Sequence, residues 1–299
     1  LAGAGTGVIT TNKMYADVSS YIDNTDDTAK AITASSLTLT ASNTSTITAL
    51  AGAASIGFSF ALVSSAASLT IGVALARNTI DNDTKAYISN VSQIRTATGK
   101  IDLDATADNT IAATSFAASI AVALGTTGGL ALSGGGADSN NVINGDTLAY
   151  LDSVSILTAG NVSLDAQNTS TIDATVAAVA IGGAAGASSG GLGLAIGAAL
   201  SANDLGISSN RLTVQSYIKN SAVNATGDVS LSAVGGLTID ALVAAGAVAI
   251  AGGSSGALAG AGTGVITTNK MYADVSSYID NTDDTAKAIT ASSLTLTAS

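Results

Sequence analysis

This sequence has no cysteine, histidine, tryptophan or proline, and all 21 of its acidic residues are aspartate. Without cysteine there is no disulfide scaffold, no thiol catalysis and no thiolate metal site. Without histidine the commonest general base and the commonest transition-metal ligand are missing. Glu, Lys, Gln and Arg, which favour the wet faces of helices, are scarce. Only ten residues are basic and the formal net charge is −11, which disfavours a nucleic-acid partner. An acidic surface keeps a long polymer soluble and self-repelling. No signal peptide is visible, in keeping with a chain that begins in mid-repeat. What remains is chiefly Ala, Gly, Ser, Thr, Asn, Val, Ile and Leu, a mixture of strand formers and turn formers. It predicts an all-β protein with many tight corners.

Residues 1–42 are identical to residues 258–299, an offset of 257. A weaker period lies inside that interval. A small residue, a Tyr and an Ile or Leu recur at Tyr21, Tyr87, Tyr150, Tyr217 and Tyr278, in steps of 66, 63, 67 and 61. A second landmark follows each Tyr by 12 to 16 residues: "LTLTA" from Leu37, "IDLDA" from Ile101, "VSLDA" from Val162 and "VSLSA" from Val229. A third comes ten residues later every time, at Ile47, Ile111, Ile172 and Ile239. Residues 1–299 therefore read as one continuous repeat array. Residues 1–20 end a preceding unit. Units 1 to 4 span 21–86, 87–149, 150–216 and 217–277, and 278–299 open the next unit 1. Each unit is about 64 residues and four make a 257-residue super-repeat. A window cut from a longer tandem array explains the identical ends. A single duplicated end segment does not explain why they fall in register with the shorter units.

A long uncharged run follows each third landmark. Thirty residues between Asp173 and Asp204 carry no charge, a length that a membrane helix also has. The periodicity points elsewhere. Leu192, Leu194, Ile196, Ala198 and Leu200 alternate with Gly193, Ala195, Gly197, Ala199 and Ser201, and "SIGFSFAL" and "SFAASIAVAL" alternate likewise. A period of two predicts strands. Turn-like clusters at 63–66, 125–129, 187–191 and 252–256 break each run into strand, corner and strand. An amphipathic membrane hairpin would need an aromatic girdle, and Phe occurs only three times. The face of Gly, Ala and Ser reads as buried against another layer, such as a neighbouring coil wall.

Such a repeat is best housed in a parallel β-solenoid. No subperiod of about 20 residues is evident, which favours one broad rung per unit over three ordinary ones. On that arrangement Tyr21, Tyr87, Tyr150 and Tyr217 form an aromatic ladder; the functional alternative is a glycan-binding surface. Asn12, Asn78 and Asn141 each lie nine residues before a Tyr and suggest an Asn ladder, interrupted in the fourth unit by Ser208.

Aspartates carry the remaining chemistry. Asp23, Asp26 and Asp27, then Asp81 and Asp83, then Asp102, Asp104 and Asp108 form clusters at which calcium is conceivable. Neither the calcium-binding nonapeptide nor an EF-hand loop is present. Asp102 and Asp104 alternate with Ile101 and Leu103, the pattern of a solvated strand face. Paired carboxylates serve polysaccharide cleavage in some β-helical enzymes, but near-periodic Asp on wet faces is the simpler reading. The glycine runs lack the Lys and Ser/Thr of a phosphate loop. No catalytic, cofactor or metal residue is assigned.

"AYL" at Tyr150, followed by "GNVSLDAQNTSTIDATVAAVAIGGAAGA", resembles the tandem Gly/Ala-rich β repeats of giant bacterial surface proteins, the filamentous adhesin or leukotoxin-type family. The resemblance implies secretion, exposure on or beyond the cell surface, a fibrous role and no catalytic residue. The expected function is a structural repeat protein that forms or coats an extracellular filament and partners itself, without a membrane span. An adhesin stalk that binds glycans or cell-surface receptors is the alternative.

Overall fold

The computed structural model describes residues 1–24, 31–282 and 287–299. The chain is all-β and folds as a parallel β-solenoid of stacked rungs. The first rung holds β1 (Ala2–Met14), β2 (Val18–Asp23), β3 (Ala31–Thr33), β4 (Leu37–Asn43) and β5 (Thr46–Ala61). The second holds β6 (Ser65–Asp81), β7 (Thr84–Ser89), β8 (Gln93–Arg95), β9 (Ile101–Ala107) and β10 (Thr110–Gly125). The third holds β11 (Gly128–Asn144), β12 (Asp146–Asp152), β13 (Ser155–Ala159), β14 (Val162–Asn168) and β15 (Thr171–Gly186). The fourth holds β16 (Gly191–Leu205), β17 (Leu212–Lys219), β18 (Ala222–Ala225), β19 (Val229–Gly235) and β20 (Thr238–Gly253). The fifth adds β21 (Leu258–Met271), β22 (Ala273–Asp280), β23 (Ile289–Thr290) and β24 (Leu294–Ala298). One unit of about 64 residues thus makes one broad rung, and the arrangement of three rungs per unit is excluded.

Equivalent strands pair in parallel into five sheets, so each rung donates to the next along the axis. The rung has two parts. Its first strand descends one side of a flat fin, the next three wrap a head, and the fifth ascends the other side to the fin tip. The head has an ordinary core in which Ile88, Ile94, Leu103, Leu151, Ile156 and Leu164 are fully buried. The corner after β7, β12 and β17 turns through Asn90, Ser153 and Asn220, all in the left-handed region at φ 57°, 59° and 45°. Asn tolerates that conformation through local hydrogen bonding, whereas Ser153 is less suited to it.

The fin inverts the usual distribution of sizes. Along β5 the bulky positions face out and the small ones face in: Ile56 is 70% exposed and Ala53 only 3%. The small face is indeed buried, but against the facing sheet of the same coil rather than a neighbouring wall. Glycines explain how closely the two sheets approach. A Cβ on Gly72 would fall 2.6 Å from the Ala118 carbonyl oxygen, one on Gly135 2.7 Å from that of Val179, and one on Gly197 2.6 Å from that of Gly246. Sheets with ordinary side chains between them sit about 10 Å apart. Here Ala, Gly and Ser set a narrower gap. Hydroxyls tie it together: Ser115 Oγ donates to the Asp138 carbonyl at 2.8 Å, and Ser119 Oγ lies 2.6 Å from Ser133 Oγ. The uncharged run 174–203 is thereby accounted for as β15, a tip turn and β16, and among the described residues no helix is long and apolar enough to cross a membrane.

Candidate functional site

Three sets of side chains repeat up the stack. The first is the tyrosine ladder. Tyr21, Tyr87, Tyr150, Tyr217 and Tyr278 are register partners in successive strands. Their ring centroids lie 5.0, 4.7, 4.8 and 5.1 Å apart, with interplanar angles of 3° to 6°. Those separations follow the strand spacing of about 4.8 Å. The rings lie parallel and stacked, so each aromatic face is met by the next ring along the axis. Burial, followed by the neighbouring phenol Tyr87, pushes the Tyr150 hydroxyl up to about 12. Tyr217 is driven higher still, by burial first and then by Tyr150 and Tyr278. Phenols held protonated in this way offer no base near neutral pH. Tyr87, Tyr150 and Tyr217 each have a ring on both faces, so at these levels a sugar approaching from solvent meets edges and hydroxyls.

The second set is the asparagine ladder. Each Asn donates through Nδ2 to the Oδ1 of the next: Asn12 to Asn78 at 2.9 Å, Asn78 to Asn141 at 2.8 Å, and Asn141 to Asn203 at 2.8 Å. Asn203 donates to Asn269 at 2.9 Å. The expected break at Ser208 is therefore wrong. Ser208 sits in a surface turn between β16 and β17, closed by hydrogen bonds between Ile207 and Asn210. Counting nine residues back from Tyr217 runs into that turn, which is longer in this rung, and lands outside the strand. The ladder itself is complete. Asn141 and Asn203 use their second amide hydrogen on Ser139 and Ser201, both at 3.0 Å.

A further polar girdle, absent from the sequence reading, closes the corner between head and fin. Asn82 Nδ2 donates to Ser45 Oγ at 2.9 Å, Ser45 Oγ to Asn43 Oδ1 at 2.8 Å, and the Ala16 N–H to Asn82 Oδ1 at 2.7 Å. In the third rung Asn168 Nδ2 donates to Thr147 Oγ1 at 3.1 Å, and its Oδ1 accepts the Ser170 N–H at 3.0 Å. The recurring "NTST" before the third landmark was the available signal: it supplies short amides and hydroxyls where the chain leaves the ladder.

The third set is the aspartates. Asp17 Oδ1 accepts the Asp83 N–H at 3.0 Å, and Asp83 Oδ1 accepts the Asp146 N–H at 2.9 Å, so each carboxylate caps the rung above. Lys85 Nζ lies 2.6 Å from Asp83 Oδ2. Burial opposes the Lys85 charge, but the Asp83 hydrogen bond and surrounding carboxylates outweigh it and raise its pKa. Burial also raises Asp146, against a hydrogen bond from Thr213. Asp17, Asp81, Asp83 and Asp146, with Tyr15, Gly145 and Asn210, line an open cleft at the corner. Elsewhere Asp23 accepts from Asn90 at 3.0 Å and Asp102 pairs with Lys100 at 2.6 Å. Asp102 and Asp104 lie half-buried on the outer face of β9, and Asp108 is exposed. Asp26 and Asp27 lie outside the described residues. Among the described residues no three potential ligands come together as a metal-binding group. What the arrangement does chemically is satisfy backbone donors and balance charge between rungs. No family model, no curated protein and no solved structure matches this chain.

Proposed function

We propose that this chain is a structural element, a stretch of solenoid that forms or coats an extracellular bacterial filament or surface fibre. One observation carries the reading. Residues 258–299 repeat residues 1–42 and occupy equivalent strands, yet the first copy pairs with the second rung and the second copy with the fourth. The same rung sequence therefore has a matched neighbour on either side. An axis built this way extends by repetition, with Tyr and Asn ladders unbroken across every rung described. The acidic, Asp-, Ser- and Asn-rich exterior of the head suits exposure to water, and the resemblance to giant surface proteins supports a place outside the cell.

Electron cryo-microscopy of the native material tests it through the axial repeat. Four rungs at strand spacing give a rise of about 19 Å per super-repeat. A filament with that period is the expected result. Discrete particles without axial periodicity would overturn the fibre reading.

A further inference from the structure

The outer faces of the fin are apolar, and the one formed by β1, β6, β11, β16 and β21 is shaped as well as greasy. Along one column Gly5, Ile71, Gly134, Ile196 and Gly262 are successive register partners, so Gly and Ile alternate rung by rung. Flanked by glycines, the isoleucines stand proud: Ile71 is 48% exposed and Ile196 65%, although both lie within the stack. At the levels of Ile71 and Val73 the β6 strand is a ridge and β1 and β11 are grooves, whereas at the level of Leu69 the β11 strand presents Leu132.

These glycines are not demanded by the fold. A Cβ on Gly136 or Gly262 would meet nothing within 4 Å, and one on Gly134 would only reach Ile71 at 4.0 Å. None has a positive φ. They differ in this from inward Gly72 and Gly135, which sterics require. A strand glycine with open space above it marks a place where another surface comes close.

We propose that this face docks a second copy of the chain, fin against fin, with ridges seated in grooves. Two observations select that occupant. The face is self-complementary at its middle levels: a two-fold axis along the strands, midway between β6 and β11, sets Ile71 of each copy against Gly134 of the other, Val73 against Gly136 and Ile196 against Gly5. The axis pairs four of the five rungs, so from the level of Ala67 to that of Leu75 the face offers roughly 500 Å² at strand dimensions, the size of a weak pairing rather than the ~800 Å² per partner of a standard interface. Its charge is balanced. Lys13, Arg77 and Lys270 at the fin base accompany Asp81 and Asp204 there and Asp138 at the level of Leu75, so this face escapes the self-repulsion of a chain at −11. The opposite fin face carries Asp173 and Asp240 and no cation on its strands. The pairing is lateral, whereas the proposed fibre extends axially, and either can fail without the other.

The absence of native cysteine makes the test specific. Full-length chains carrying Ile71→Cys and Gly134→Cys are mixed in equal amounts and mildly oxidised. A covalent dimer that exceeds the yield of Ile71→Cys alone, and of Ile71→Cys mixed with Gly183→Cys on the opposite face, is the expected result. By sedimentation the unsubstituted chain is expected to self-associate. The double variant Ile71→Asp/Ile196→Asp is expected to remain monomeric with the same circular dichroism. Cross-linking no better than the controls, or self-association that survives the Asp variant, would overturn the pairing. So would an unsubstituted chain that stays monomeric yet floats with phosphatidylcholine vesicles, since the occupant would then be lipid.

Discussion

Tyr150 shows how much a single position gains from repetition. It stacks on Tyr87 below and Tyr217 above, whereas Tyr21 has one described ring neighbour. Each stacked pair is worth about 0.5–1.5 kcal/mol beyond area burial. Tyr150→Ala should therefore cost about 1–3 kcal/mol from lost stacking and Tyr21→Ala about half that, read from urea midpoints. Equal losses would mean that stacking contributes nothing. The ladder also makes a pH prediction. Tyr150 in the folded chain is raised from an ordinary value near 10 to about 12. Below about pH 10 the phenol is protonated folded or unfolded, and its contribution is intact. Between about 10 and 12 the unfolded chain releases its proton first, so stability falls as pH rises. The urea midpoint should drop across that window, and a flat profile would contradict the raised value. The Tyr positions were legible in the sequence because a ladder needs the same residue at each level. Asn203 was not, because its distance from Tyr217 includes a longer turn that says nothing about the strand before it.

At the scale of the strand, glycine has two opposite meanings in one fin. Gly72 points inward, and an added Cβ would strike the backbone of Ala118, which cannot move without shifting a whole sheet. Gly72→Ala should cost about 1–3 kcal/mol, the range for overpacking a tight interior. Gly136 points outward into open space, so Gly136→Ala should leave the monomer unchanged or stabilise it by up to about 1 kcal/mol. Thermal unfolding of both variants checks the contrast, and a large loss at Gly136 would refute the assigned facing. The alternation of size along these strands was plain in the sequence, and so were the tip corners. The partner of the small face was not. Alternation reports that two faces differ, but the identity of the opposing layer depends on how the head brings β5 back alongside β1 and the tip corner folds β6 onto it. The corner girdle of Asn43, Asn82 and Asn168 was missed for a similar reason: its hydrogen bonds join residues that only the rung path makes neighbours.

For the whole molecule, each rung touches only the rungs beside it, so stability accumulates by nearest-neighbour stacking. The repeated segment makes this measurable within one sequence. Leu103 in the second rung is fully buried between its ladder partners Leu39 and Leu164, while Leu296 in the fifth is 41% exposed over Leu231 alone. Hydrogen exchange should accordingly be slowest in β9 and β14 and faster in β24, because opening an outermost rung breaks one set of ladder bonds instead of two. In a chain carrying the 257-residue super-repeat twice, Leu296 acquires the same upper neighbour that Leu39 has in Leu103. The amides of 294–298 should then slow to the rate of the central rungs, without any change in their own sequence. If they continued to exchange as before, rungs would not stabilise one another along the axis, and an axial fibre would lose its physical basis even if the two-fold pairing of fins were real. If they slow, the protection arises from stacking itself, and lengthening the array extends it rung by rung until only the outermost levels fray.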